Sequence, residues 1–401
     1  MHTARVNRSS PAVTASASWR RTVRVRRSPH LVAYWRGGTL VACNYATGIK
    51  ASLPPKACDL LNACAEWTAV GVLADRGIVS RESLFAVLDR MVALALIERS
   101  DRARDPRAIA MDDFSPWNPQ VGFFHTTTRD VKYTPPRIAA RLTRAKMAQS
   151  PPPPAVKRYR NAAAIQLDPV NVNGEFTHVL RARRTWRRYS SEPITRQELA
   201  TMLGLSVGVQ KWIEAKGVSL PLKTSPSGGA RHSVECYVVA RDVRGLKSGI
   251  YHYAPDRHAL VRIGKKVKAD RLRSYVPGSE YFASASAMIF FTSMFERLLW
   301  RYPYARAYRA ALIESGHVCQ TFCLTATRLG LAPFSVMALA DSIIEKDLGI
   351  DGIKESVLYA AGVGRPPRGS TWASRPKGPN PRTRENARVA PLAHDGEGTK
   401  R

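Results

Sequence analysis

The chain has 401 residues, long enough for two domains or for one large domain with a smaller attachment. Its 62 Lys and Arg against 31 Asp and Glu give a net charge of +31, which attracts anionic partners without choosing among nucleic acid, acidic peptide and phosphate. No apolar run is long enough to cross a bilayer, and the six cysteines form no CxxC pair; this argues against a membrane protein, a zinc site and a disulfide scaffold, and for a reducing cytoplasm.

Residues 1–27 are rich in Arg and Ser, and no acidic residue precedes Asp59; this start reads as a disordered basic segment. Residues 28–100 are patterned differently. LVAYW (31–35), the turn RGG and LVACNY (40–45) predict a β-hairpin. A helix is expected from Pro55 to Glu66, with proline in its first turn. Another starts at Ser80, a candidate N-cap, and carries Leu84, Val87, Leu88, Met91 and Val92 along one face. A hairpin with short helices predicts a winged-helix-like module, a class that docks DNA or peptides. Residues 101–164 read as a polar, irregular connector anchored by Trp117, Phe123, Phe124 and His125, ending in the stiff linker PPPPAVKRYR.

The larger domain is expected over 165–367. Its strands are ECYVVAR (235–241), SGIYHY (248–253), ALVRI (259–263), SAMIFFTSMF (286–295) and VLYAAGVG (357–364). A long helix from about Ala305 to Leu329 is apolar or small on most sides, so it is expected to be buried, with Cys319 and Cys323 as buried thiols. Residues 368–401 form a basic, Pro- and Gly-rich tail that reads as disordered.

Two stretches carry chemistry. In RARRTWRRYSSEPIT (181–195), five arginines fall within eight residues. Thr195 and Glu198 make a T-x-x-E capping box, so a helix with Leu199, Met202 and Leu203 on its apolar face starts just beyond. The arginines therefore lie on the segment leading into that helix, with alternating directions. The planar guanidinium fork suits phosphate, although a solvated basic face would look the same. In KTSPSGGARHSVECYVVA (223–240), a Pro-Ser-Gly-Gly turn runs directly into a strand. Glycines there let backbone approach a flat ligand closely.

Taken in order with RAYRAALIESGHVCQTFCLTATRLGLAPF and LGIDGIKESVLYAAGVGRP, these stretches resemble the nitroreductase family of FMN-dependent oxidoreductases. More narrowly the chain is similar to the SagB-type branch, the azoline oxidases of ribosomal peptide biosynthesis. The resemblance implies an α+β, nitroreductase-like FMN-binding domain, with an antiparallel-rich central sheet flanked by helices, behind the winged-helix-like module. It also implies a homodimer whose subunits share each flavin site. Arg183, Arg184, Thr185 and Arg187 would grip the phosphate and ribityl chain of FMN. Pro226, Ser227 and Gly228 would lie along the isoalloxazine ring, and Met337 and Ala338 would approach it from another side. Arg365 or Arg375 would complete the phosphate site.

Azoline oxidases carry a Lys-Tyr pair where this chain has Arg301 and Tyr302. Arginine keeps its proton, so Arg301 is left to orient a carbonyl and Tyr302 to carry the proton. The spacing to Arg306 is one residue longer than usual, which keeps Tyr304 and Tyr308 in contention. His317 is expected to be a satisfied core histidine, and no metal site is read. The implied reaction oxidises azoline rings to azoles in a ribosomally made peptide, with a cyclodehydratase as a further partner. An NAD(P)H-dependent nitro- or quinone-reductase is the alternative. A nucleic-acid-binding protein with a degenerate flavin fold is the third reading, resting on the net charge and the N-terminal module.

Overall fold

The computed structural model describes residues 19–150, 152–155, 167–168, 173–215 and 217–370. The first 18 residues, most of the PPPPAVKRYR stretch and the basic tail with Arg375 lie outside the described residues. The chain divides into two compact units. One comprises Met1–Val131, Met294–Ala311 and Asp351–Ser356, the other Lys132–Ser293, Leu312–Ile350 and Val357–Arg401.

The first unit opens with β1 (Arg24–Arg27) and the strands β2 (Leu31–Arg36), β3 (Thr39–Asn44) and β4 (Ile49–Ser52), which form a three-stranded sheet in that order. The expected hairpin is β2–β3, and Gly37, at φ 58°, supplies the left-handed backbone of its turn. Then come α1 (Pro55–Ala63), β5 (Thr68–Ala69), α2 (Val70–Asp75), α3 (Arg81–Ala93) and β6 (Ile97–Arg99). A second sheet runs β5-β1-β6. This N-terminal region thus holds three helices and two small antiparallel sheets, and β1 is a paired strand within the stretch 1–27 that the sequence reads as disordered. Leu84, Leu88 and Met91 of α3 are buried as expected, in one cluster with Leu60, Val70 and Leu73. Ser80 stands at the N-cap position, but its hydroxyl bonds the Ser83 hydroxyl (3.1 Å) and caps no backbone N–H.

The connector beyond this module is helical, not irregular. Asp105 caps α4 (Pro106–Asp112) by accepting from the Arg107 N–H at 2.7 Å, with proline at the first helical position. Helix α5 (Gln120–Thr127) follows. Of the four predicted anchors, Trp117 and His125 are fully buried among Phe114, Phe295 and Tyr308, while Phe124 is half in solvent.

The second unit contains α6 (Pro136–Gln149), α7 (Glu175–Ala182), the two-residue strand β7 (Ile194–Thr195) and α8 (Arg196–Val207). It continues with the hairpin β8 (Lys211–Ala215) and β9 (Val218–Leu222), then β10 (Val234–Ala240), β11 (Val243–Arg244), β12 (Gly249–Ala254), β13 (Ala259–Gly264) and α9 (Ala269–Tyr275). Last come β14 (Ala287–Met294), α10 (Tyr308–Arg328), β15 (Ala332–Val336), α11 (Asp341–Leu348) and β16 (Glu355–Gly364), of which Met294, Tyr308–Ala311, Glu355 and Ser356 belong to the first unit. The main sheet has six strands in the order β13-β12-β10-β14-β16-β15, and β10 pairs antiparallel with both neighbours. Cys236 and Val238 of β10 enter one core with Leu199, Met202, Leu203 and Phe322. Tyr237 and Val239 enter another, on the opposite face, with Tyr275, Phe282 and Ile344. Two covered faces explain why the central strands read as nearly continuous apolar runs. All five predicted strands are present. The short β15 was not read, and its Pro333 is tolerated because β15 is an edge strand.

The long helix departs from expectation on one side. Val318, Cys319, Phe322 and Cys323 of α10 are buried, but Leu312, Ile313, His317 and Gln320 face solvent. Counting apolar residues overstated its burial, since it is covered along one stripe only.

Candidate functional site

The arginine stretch begins where α7 stops. From Arg183 to Ser190 the chain is in neither helix nor strand, and burial changes from residue to residue: Arg183 and Thr185 are half-buried, Arg184 and Arg187 exposed, and Trp186 buried. Trp186 is buried, and its N–H donates to the Pro333 carbonyl of the edge strand β15 at 3.0 Å. Tyr189 donates its hydroxyl to the Trp186 carbonyl at 3.0 Å. These inward groups hold the segment and leave Arg184, Arg187 and Arg188 at the surface. Arg184 folds back on the carbonyls of Arg181 (2.8 Å) and Arg183 (2.7 Å), and Arg187 reaches the Tyr281 hydroxyl at 3.3 Å. Arg183 and Thr185 are half-buried, and Arg183 lies within electrostatic range of Cys319 and Cys323. Among the described residues none of Arg183, Arg184 and Arg187 pairs with a carboxylate.

Arg365 is different. Its Nη2 donates to both Glu198 oxygens at 3.0 Å, and its Nε donates to the Pro193 carbonyl at 3.2 Å. Glu198 also closes the predicted capping box, accepting from the Thr195 N–H at 2.7 Å. Arg365 is thus engaged in fastening the end of β16 to the start of α8.

The Pro-Ser-Gly-Gly turn is strained and well fastened. Gly229, Ala230 and His232 have φ of 61°, 52° and 42°, and only the glycine takes such values without cost. Ser227 Oγ accepts from the His232 N–H at 2.8 Å and donates to the Glu314 carboxylate at 2.9 Å. The same carboxylate accepts from the Ser233 hydroxyl and the Val234 N–H, both at 3.3 Å. Ser225 and Thr321 share a hydroxyl–hydroxyl bond of 3.1 Å, and His317 Nδ1 stands 3.5 Å from the Pro226 carbonyl. Glu314, His317 and Thr321 repeat at i, i+3 and i+7, so one stripe of α10 carries the whole turn. Pro226 and Gly228 remain exposed.

His317 therefore corrects the sequence reading. It is no core histidine, because it lies on the open face of α10 beside the turn. Glu314 was not singled out at all. A lone Glu on a helix carries no signal in sequence, and only the fold shows it buried, at 3% exposure. Burial pushes its carboxyl up from the ordinary range, against the opposing hydrogen bonds from Val234, Ser227 and Ser233. At 100° per residue, the stripe facing the turn and the thiols near Arg183 are on different sides of α10.

Met337 is 74% exposed just past β15, and its carbonyl lies 3.5 Å from the Tyr133 hydroxyl. Ala338 packs half-buried against the second core. Arg301 and Tyr302 belong to the first unit. Arg301 is exposed, with its guanidinium carbon 5.7 Å from the centre of the half-buried Tyr302 ring. The Tyr302 carbonyl accepts from Trp117 Nε1 at 2.9 Å, which fixes the backbone there. Tyr304 is 52% exposed, its ring 5.9 Å from that of Tyr302. Tyr308 is buried and bonded to His125 Nδ1 at 2.8 Å, so its hydroxyl is engaged in the core.

Comparison with known proteins decides the family. The nitroreductase family model matches residues 180–365. A protein of Methanocaldococcus jannaschii that carries a nitroreductase name, MJ1384, is 37% identical over 187 residues, 47% of this chain and 89% of that protein. The chain belongs to the nitroreductase family. It is an oxidoreductase with that family's α+β fold, as the motifs implied. The trifolitoxin-processing protein TfxB of Rhizobium leguminosarum bv. trifolii is 36% identical over 148 residues, 36% of this chain and 39% of TfxB. The microcin B17-processing protein McbC of Escherichia coli is 30% identical over 131 residues, 31% of this chain and 48% of McbC. The match spans less than half the length of each of these two peptide-processing relatives. Among the described residues no helix is long and apolar enough to cross a membrane, and no cluster of three His, Cys, Asp or Glu could hold a metal.

Proposed function

We propose that this oxidoreductase is an FMN-dependent dehydrogenase of the SagB type that oxidises azoline rings to azoles in a ribosomally made peptide. The observation that carries the flavin is the pairing of two features in one unit. Among the described residues three arginines lack carboxylate partners, and a turn fastened to Glu314 presents its backbone edge at the surface. Guanidinium forks suit the phosphate, and an edge of backbone without bulky side chains suits a planar ring. In this reading Arg183, Arg184, Thr185 and Arg187 hold the phosphate and ribityl chain. Pro226, Ser227 and Gly228 line one side of the ring, and Met337 and Ala338 approach from another. Arg365 takes no part, because Glu198 occupies it.

The two features lie on different sides of α10, and Leu312 and Ile313 leave an apolar strip of that helix exposed. Both points support a homodimer in which each site draws on two chains. The peptide substrate is supported by the peptide-processing names of TfxB and McbC. A cyclodehydratase partner follows from the same chemistry, since that class of enzyme makes azolines. The winged-helix-like module is assigned to docking an acidic leader segment.

FMN, when bound, supplies a two-electron acceptor. The chain's own part is to orient the substrate, exclude water and move one proton. Arg301, always charged, orients a substrate carbonyl and steadies developing negative charge. Tyr302 is assigned to carry the ring-carbon proton, which its side chain takes up as the phenolate and holds as the phenol. The test is the visible spectrum of the purified protein with its released cofactor identified, followed by azoline-peptide oxidation. Close to one FMN per subunit and a loss of two hydrogens from the peptide are expected. A colourless protein that takes up no FMN would refute the reading.

The nitroreductase-named relative favours a second reading, an NAD(P)H-dependent nitro- or quinone-reductase on the same flavin site. Rapid flavin reduction by NAD(P)H, with no turnover of azoline peptides, would select it. The nucleic-acid reading rests on the net charge and the N-terminal module, and under the flavin reading the densest arginine cluster is assigned to a phosphate instead.

A further inference from the structure

Glu314 is a buried titratable group of the second unit that is wired directly to the exposed turn. A carboxylate at 3% exposure is costly unless its oxygens are filled. Here they are filled by two hydroxyls and one backbone N–H, all from the single segment Ser227–Val234. The carboxylate only accepts, so it fixes where the Ser227 proton points. With that proton turned to Glu314, a lone pair of Ser227 Oγ is left for the His232 N–H. The chain of donors thus runs from His232 through Ser227 to Glu314, and it spans the three residues with left-handed backbone.

Ala230 and His232 would each relax if released, because a left-handed conformation is unfavourable for a residue with a Cβ. The wiring holds them in place. Thr321 and His317 add bonds at the margin, but neither reaches the strained residues.

We propose that Glu314 is a positioning residue: from beneath the turn, through Ser227 and the Val234 amide, it sets the backbone edge of Pro226–Gly229 against the ring of a planar heteroaromatic ligand. This rests on the flavin reading and names the group that shapes the ring side of the site. Glu314 touches the turn and not the ligand. Its raised carboxyl pKa is a consequence of the burial that makes the anchor rigid.

The role separates the ring from the phosphate, and so does its test. Glu314→Gln keeps the size but replaces one acceptor oxygen by a donor, so it cannot take bonds from both Ser227 and Val234. Flavin affinity is measured by fluorescence quenching with FMN and with riboflavin, which lacks the phosphate. Amide hydrogen exchange over 226–234 is measured on cofactor-free protein. The variant should bind both flavins about tenfold more weakly and exchange faster at His232 and Val234, while still unfolding in one cooperative transition. Ser227→Ala should behave alike, and the double variant should be no worse than either single one. Arg187→Ala, in contrast, should weaken FMN and leave riboflavin unaffected. Unchanged exchange in Glu314→Gln overturns the proposal, as does faster exchange with flavin affinity intact. If the wild-type protein binds neither flavin, the flavin reading fails and the ligand role of Glu314 falls with it; that outcome is seen before any variant is made.

Discussion

Lowering the pH should loosen the first unit through one side chain, His125. It is 2% exposed, and its two nitrogens face the Tyr308 hydroxyl at 2.8 Å and the Gly352 carbonyl at 2.9 Å. The carbonyl can only accept, so Nε2 carries the proton and Nδ1 accepts from tyrosine: the imidazole is neutral and fully used. Burial first, and then the charge of Arg129, pushes its pKa down to about 4, against the Gly352 bond and Asp351. The unfolded chain titrates near 6.5, so between the two values it binds a proton that the folded state refuses. Stability therefore falls as the pH drops through 6.5 and levels off below about 4. At 1.36 kcal/mol per pKa unit, this group costs about 2 kcal/mol between pH 7 and pH 5, and about 3 by pH 4. Carboxylates held low by arginines, such as Asp101 and Asp112, add their own loss at more acidic pH. The diagnostic quantity is thus the difference between the wild type and His125→Asn, which has no titrating ring. Urea unfolding at pH 7 and pH 5, followed by near-UV signals of the Trp117 cluster, should show about 2 kcal/mol less acid sensitivity in the variant. A wild type and a variant with equal pH dependence, or an NMR titration placing His125 near 6.5, would refute the argument.

Arg187→Ala should lower FMN affinity about tenfold or more, the worth of one charge-assisted hydrogen bond, and the loss should shrink as salt rises; titration with FMN at two ionic strengths reads it. Arg365→Met should instead lower stability by about 1–2 kcal/mol, since it leaves a partly buried Glu198 unpaired at the start of α8, while FMN affinity holds. Tyr302→Phe should retain bound flavin but lose azoline oxidation by about 100-fold or more, as expected for removal of a general acid–base group; peptide mass loss of two hydrogens is the assay. Thr195→Ala should cost about 1 kcal/mol in thermal unfolding, because it opens the capping box with Glu198.

What could be read from the sequence followed from the range over which each signal acts. The capping box, the β2–β3 hairpin and the five main strands are set within a few residues, and each was visible as a local pattern. The family was visible too, because four short motifs in a fixed order constrain more than any one alone. The helical connector carried its own signal, Asp105-Pro106, but the polar composition around it masked the cap. The edge strand β15 was hidden by Pro333, which argues against a strand unless one knows that it lies at the sheet margin.

The site was less legible, for a reason that Glu314 and Arg365 illustrate from opposite directions. Both are ordinary charged residues whose meaning depends on a partner far along the chain: Glu314 on Ser227, 87 residues away, and Arg365 on Glu198, 167 residues away. Family position made Arg365 a candidate for the phosphate, yet its guanidinium faces a carboxylate that already satisfies it. Glu314 drew no notice, yet its burial beneath a turn with three left-handed residues gives it more leverage over that turn than any exposed neighbour has. An arginine near an anion site is informative only after its own carboxylate partners have been counted. By that count Arg183, Arg184 and Arg187 are the arginines we propose for the phosphate, and the shape of the ring side is proposed to rest on a residue that need never touch the ring.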